Sequence, residues 1–165
     1  MQEMKTIKRA KIDKQEGKSA STQAGEFVRE EIENIRKNKH GARSAKQVIA
    51  IGLSKARRAG VDLKPPAEGK TSAKTRRSAE QAYKKGQKHV PISRTHSRAR
   101  ERALKKEGTA AASPTALSSQ AHAAAMKRTA TERSAAARKA AKTKGLQERS
   151  AAAKKAAGTR HKNMS

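Results

Sequence analysis

The sequence predicts a mainly α-helical chain in two unequal parts: a short helical hairpin over residues 21–63, followed by a long basic extension that is largely disordered or loosely helical. Three observations carry this. The larger apolar side chains Phe27, Val28, Ile32, Ile35, Val48, Ile49, Ile51, Leu53, Val61 and Leu63 gather in that one stretch. Across the 97 positions from Gly69 onward only Tyr83, Val90, Ile92, Leu104, Leu117, Met126, Leu146 and Met164 are of that kind. The charge is also lopsided, because those 97 residues hold 25 of the 41 Lys and Arg and only 5 acids, a net +20 against +7 for residues 1–68. Low hydrophobicity with high net charge leaves too little burial to offset the entropy of ordering a chain, and the mean hydropathy is −1.01.

Residues 1–20 read as a basic N-terminal arm with helical potential. The first hairpin helix is expected to start near Ser21 or Thr22, to carry Val28, Ile32 and Ile35 on one face at the i, i+4, i+7 spacing, and to stop at Gly41. The second opens at Ser44-Ala45-Lys46-Gln47, which matches the capping box in which a Ser hydroxyl and a Gln amide satisfy backbone N–H groups. Ile49, Leu53 and Ala56 then share a face, and Gly60 with Val61 supplies the left-handed residue and apolar fold-back of a Schellman stop. Three readings of the hairpin stand side by side. Glu26, Glu30, Glu31 and Glu33 on the first helix and Lys46, Lys55, Arg57 and Arg58 on the second favour simple pairing of opposite charges. A helix-turn-helix regulator would instead place Lys46 and Gln47 on base edges. A homodimer would cover two helices too small to be stable alone.

Pro65-Pro66 begins a linker over residues 64–71. Residues 72–112 form basic helical segments, Ser72 to Lys85 before Gly86 and Ser93 to Glu107 before Gly108. An Ala/Lys-rich tail over 113–165 opens at Ser113-Pro114 and contains a repeat: ERSAAARKAAKT from Glu132 returns as ERSAAAKKAAGT from Glu148, identical at ten of twelve positions with a period of 16. Alanine favours helix at little entropic cost, so Arg138, Lys139 and Lys142 make a compact basic face. Lys154 and Lys155 match the first two in the second copy, where Gly158 in place of Lys142 predicts an earlier stop.

Such a polycation points to a polyanion, because every Lys or Arg that meets a phosphate releases condensed counterions. The expected partner is nucleic acid, DNA more than RNA, since one Phe, one Tyr and no Trp leave no platform on which single-stranded bases stack. The densest arginine cluster, Arg94, Arg98, Arg100 and Arg102, and the pair Arg76-Arg77 are the foremost expected phosphate anchors, because a guanidinium grips phosphate with two parallel bonds. Lys46, Lys55, Arg57 and Arg58 of the hairpin and Arg138, Lys139, Lys142, Lys154 and Lys155 of the tail complete the expected nucleic-acid-binding set. The reading is non-sequence-specific DNA binding in a histone-like, nucleoid-associated, cytoplasmic protein, with removal of residues 109–165 expected to weaken binding and flatten its salt dependence. The rival from another class is a hairpin that docks on a partner protein while the basic tail holds it near RNA or the ribosome.

Enzymatic chemistry finds no support. His40, His89, His96, His122 and His161 are scattered through polar segments and read as solvated, without the spacing of metal ligands. Gly69-Lys70-Thr71 resembles the end of a phosphate-binding loop, but Lys64 stands where its first Gly belongs. No cofactor or metal is expected. Zero cysteines fit a reducing interior, and the longest apolar run, Val48 to Leu53, is far short of the roughly 20 residues that span a bilayer.

The stretch STQAGEFVREEIENIRKNKHGARSAKQVIAIGLSKARRAGV, Ser21 to Val61, resembles a family of small, basic, uncharacterised bacterial proteins built around a KQ-x-IAIGLSKARRAG core, here Lys46 to Gly60. The resemblance implies a DNA-binding or histone-like protein of bacterial source and transfers no catalytic residue. The tail is similar in composition to the Ala and Lys rich tails of linker histones and their bacterial analogues.

Overall fold

The computed structural model describes residues 2–162. Among them are seven α-helices, one 3-10 turn and no strand: α1 (Gln2–Gln15), α2 (Ala20–Arg36), α3 (Ala45–Arg58), α4 (Ala73–Gln87), α5 (Arg94–Lys105), the 3-10 turn Ala110–Ala112, α6 (Pro114–Met126) and α7 (Ala130–Lys162). Met164 lies outside the described residues, and so do the side chains of Leu146 and His161. The chain divides into two compact units, Met1–Gln120 and Ala121–Ser165.

This corrects the expected fold. The hairpin α2–α3 is present, but the segment after it is not a disordered or loosely helical extension: α4, α5 and the 3-10 turn belong to one helical bundle with it. The physical reason is the size of the packing residues. Ala79, Ala82 and Gly86 form the buried stripe of α4, at i, i+3, i+7, and Ala111 and Ala112 fill the space beside Ile35, Ala42 and Val48. Small residues give no apolar signal when large side chains are counted, yet they let helix backbones come close enough for dense van der Waals contact.

The innermost line of α3 shows the same economy of size. Ala45, Val48, Gly52 and Ala56 are buried, while Ile49 and Leu53 flank them half-buried. On α2 the buried face is Gln23, Ala24, Phe27, Glu30, Glu31, Asn34 and Ile35, with Val28 and Ile32 at its edge. Of the expected faces, Ile35 and Ala56 are buried outright and the other larger aliphatics lie at the edge. The helices approach most closely at Gly52, where a Cβ would lie 2.6 Å from the Val28 Cα and 2.9 Å from its backbone nitrogen. A Cβ at Gly86 would run into the Arg57 carbonyl, so α4 crosses α3 equally closely. Gly86 is also not the helix stop that the sequence predicts, because α4 runs through it to Gln87.

The ends of α1, α2, α3 and α4 follow a single pattern. Gly17, Asn38, Gly60 and His89 all have positive φ, and in each case the next residue donates its N–H to a carbonyl five positions back: Lys18 to Asp13, Lys39 to Asn34, Val61 to Ala56 and Val90 to Lys85. These are Schellman motifs, and the Gly60-Val61 stop stands where the sequence predicts it. The α2 start lies two residues earlier than expected, at Ser19, whose hydroxyl accepts the Thr22 N–H at 3.4 Å. Its stop is Asn38 rather than Gly41. Gly41 instead donates its N–H to Leu104 O at 2.9 Å and sits so close to the Glu107 carbonyl that no side chain fits, which ties the α2–α3 loop to the end of α5.

In the second unit α7 is interrupted at Gly145, whose φ of 65° and ψ of 173° are not helical, so one copy of the repeat lies on each side. Gly158 does not end the second copy, because helix continues to Lys162. The α7 start is a reciprocal capping box: Thr129 Oγ1 accepts the Glu132 N–H at 3.1 Å, and Glu132 Oε2 accepts the Thr129 N–H at 2.9 Å.

Two glycine substitutions separate packing from propensity. Gly25→Ala, in open space on α2, should stabilise the protein by about 0.5–1 kcal/mol through helix propensity. Gly52→Ala should destabilise it by about 1–3 kcal/mol, because overpacking outweighs the same gain. Urea unfolding followed by circular dichroism measures both, and a stabilised Gly52→Ala would contradict the close helix approach.

Candidate functional site

The bundle sorts its charges into those committed inside and those left outside. Glu31 has no exposed side-chain surface; Lys55 Nζ donates to its Oε2 at 2.7 Å, and His40 Nε2 lies 3.3 Å from its Oε1. A buried carboxylate with the Lys55 ammonium against one oxygen and the His40 ring beside the other has the close company that low dielectric demands of an acid on a packed face. His40, half-buried and beside a carboxylate, therefore departs from the expectation of a solvated histidine; folding of the eight-residue loop, not sequence spacing, brings it to Glu31. Of the charges expected to pair the hairpin helices, Lys55–Glu31 does so, while Glu26 reaches Arg9 of α1 at 3.5 Å and Glu33 lies near Arg29 and Lys37 of its own helix.

Arg57, expected to face phosphate, is buried instead: its Nε donates to Leu63 O at 3.0 Å and its Nη2 to Lys64 O at 3.4 Å, and desolvation pulls its pKa down from the usual arginine value. It holds the chain leaving α3. Lys55, bound to Glu31, is likewise largely committed.

The remaining cations of the first unit form two surfaces. Arg94, Arg98 and Arg102 recur at i, i+4, i+8 along α5, all exposed and with no acidic partner among the described residues. This is a convex ridge of guanidinium groups one helical turn apart. Arg100 and His96, on another face of the same helix, line a cavity of about 420 Å³ with Lys55 and Arg58 of α3 and Lys85 of α4. Ser54, Ser78, Ser93 and Gln81 add neutral donors, and no carboxylate lines the cavity. Arg58 Nη2 donates to Val90 O at 3.2 Å and so fixes the connection that carries Ile92 over it.

The acids of α4 and α5 are held by their own helices. Lys84 donates to Glu80 and Lys105 to Glu101, each at i+4, and these bonds keep both carboxyls below the usual carboxylate range. The single tyrosine is also committed, since Tyr83 donates to Asp62 Oδ1 at 2.6 Å and that bond raises its pKa.

Of the other expected anchors, Arg76 lies 3.3 Å from exposed Glu68, while Arg77 and Lys46 are exposed and have no acidic partner among the described residues. Gln47 half-fulfils its capping role: its N–H goes to Ser44 Oγ at 3.3 Å, but its Oε1 accepts from Arg43, one residue before the position a capping box uses. That leaves the amide oxygen unavailable for a base edge. Arg138, Lys139, Lys142, Lys154 and Lys155 are exposed on α7 in the second unit. Lys85 is a site residue that sequence reasoning missed; its signal is the small-residue stripe Ala79, Ala82, Gly86, which puts Ser78, Gln81 and Lys85 beside a helix contact. No group of three or more metal-holding side chains occurs among the described residues, and no helix among them is long and apolar enough to cross a membrane.

No protein-family model, curated protein or solved structure matches the chain.

The buried carboxylate yields a stability test. Lys55→Met leaves Glu31 enclosed without its closest cation and should cost about 2–3 kcal/mol, less than the roughly 3–5 kcal/mol of a fully buried pair because the Lys55 side chain is 36% exposed. Lys37→Met, which removes an exposed i, i+4 pair with Glu33, should cost less than about 1 kcal/mol. Equal destabilisation in urea unfolding would show that Glu31 is not the buried centre described.

Proposed function

We propose that the protein binds duplex nucleic acid, DNA in preference to RNA, through phosphate neutralisation without reading sequence. The observation that carries this is the α5 ridge: three exposed arginines one turn apart, in a region whose acids are bound by neighbouring lysines. A regular row of guanidinium groups suits the regular row of phosphates on a duplex strand, because each can make two parallel bonds to one phosphate. The exposed Lys and Arg of α7 add a second cationic surface whose repeat places similar units in succession. Association with the nucleoid follows if DNA is the partner in the cell.

Low specificity follows from the same residues. Base readout needs side-chain amides or guanidiniums presented from a helix that enters the major groove, and the Gln47 amide oxygen at the start of α3 already accepts the Arg43 N–H. The hairpin also needs no second copy to cover it, since α1 packs on α2 and α4 on α3.

A salt series on random-sequence duplex DNA tests the reading. Replacing Arg94, Arg98 and Arg102 with Gln should lower the magnitude of the log–log salt slope by about 2.7, at about 0.9 for each phosphate left unneutralised. An unchanged slope would remove the ridge from the interface. Truncation after Met126 removes 12 Lys and Arg with 2 acids and should weaken binding and flatten the slope further. The cut belongs there rather than after Gly108, because Ala111 and Ala112 are part of the bundle core.

A further inference from the structure

The α5 ridge is convex, but the cavity beside it is concave, and a concave cavity does not admit the side of a duplex. Its volume of about 420 Å³ falls in the range of small-ligand sites, about 300–1,000 Å³. Four helices contribute to it, α1 through Ile7 as well as α3, α4 and α5, and with Lys55 committed to Glu31 the cations left for a ligand are Arg58, Lys85 and Arg100. Pro91 and Ile92 supply an apolar wall.

We propose that this cavity is a site for a single di- or triphosphate ester, taken either as a free nucleotide or as the phosphorylated end of a nucleic-acid chain. A terminal phosphate carries about −1.5 to −2 charges near neutral pH and a bridging one about −1, so the three cations match a diphosphate ester and come within about one charge of a triphosphate, and arginine from two different helices can clamp it from two sides. The neutral hydroxyls and the Gln81 amide satisfy further phosphate oxygens, and the apolar wall faces the organic part of the ester. The site shares with the duplex reading only the premise that cations without an acidic partner take phosphate.

Calorimetric titration of the full chain with tripolyphosphate at physiological salt is the test, because this probe has no sugar or base and cannot act as a duplex. One saturable site per chain is expected, with affinity falling about tenfold or more in Lys85→Gln/Arg100→Gln, where two charge-assisted bonds are removed. That variant keeps the Arg58–Val90 bond. The charge-matched control Lys11→Gln/Lys14→Gln, on exposed positions of α1, should bind as the parent does. Many weak sites, or equal weakening in both variants, would overturn the inference. A readout independent of substitution is the methyl resonances of Ile7 and Ile92, both at the cavity: they should shift on titration, and unmoved methyls would also overturn it.

The source of the phosphate is read by two further titrations. Tighter binding of an RNA hairpin bearing a 5′-triphosphate than of the same hairpin with a 5′-hydroxyl assigns the chain end, and tighter binding of a nucleoside triphosphate than of tripolyphosphate assigns the free nucleotide. Absence of the cavity site with duplex binding intact would end this inference and leave the duplex reading standing.

Discussion

The close approach of α2 and α3 at Val28 and Gly52 is the constraint on which the rest of the bundle depends. A chain with one Phe, one Tyr and no Trp has few large side chains to bury, so it gains contact area by bringing backbones together. Gly52 allows the first crossing and Gly86 the second, and the buried alanines at positions 24, 45, 56, 79 and 82 keep both helix pairs near. Phe27, Val48 and Ile35 then fill what small residues leave open. Dispersion in such an interface is strong per unit area but intolerant of added volume.

That packing also decides the electrostatics. With helices this close, Glu31 on an inner face has Lys55 and His40 at short range. Most of the acids in the first unit are similarly engaged with cations of the bundle or of their own helix. The surplus of Lys and Arg is therefore left outward, and the fold turns a net charge into located surfaces: a ridge on α5, a cavity lined by α1, α3, α4 and α5, and an exposed basic helix in the second unit.

Local signals are legible in the sequence and long-range ones are not. The Ser44 cap, the Gly60-Val61 stop and the start at Ser113 depend on residues within a few positions, and the structure has all three. The faces of α2 and α3 read from the sequence hold only in part, because large aliphatics suggest the centre of a contact that Gly52 in fact occupies. The helices at 72–85 and 93–107 are legible from their caps and stops, but their packing into the bundle escapes the sequence for the same reason, since the α4 packing stripe is made of alanine and glycine, which look like low complexity. Glu31 with His40, and Arg57 with the carbonyls of Leu63 and Lys64, depend on how loops fold back and carry no spacing signature. The ridge residues Arg94, Arg98 and Arg102 stand out by composition and helical spacing already parts them from Arg100, but that the Arg100 face turns toward α3 and α4 requires the bundle.

Amide hydrogen exchange across the whole chain, with and without duplex DNA, tests most directly the claim that small-residue packing holds free cations on fixed surfaces. The account predicts that in the free protein the amides of α4 exchange as slowly as those of α3, as members of one cooperative unit, and that DNA adds protection along α5. Exchange of α4 and α5 at the rates of an unfolded chain, while α2 and α3 stay protected, would contradict it.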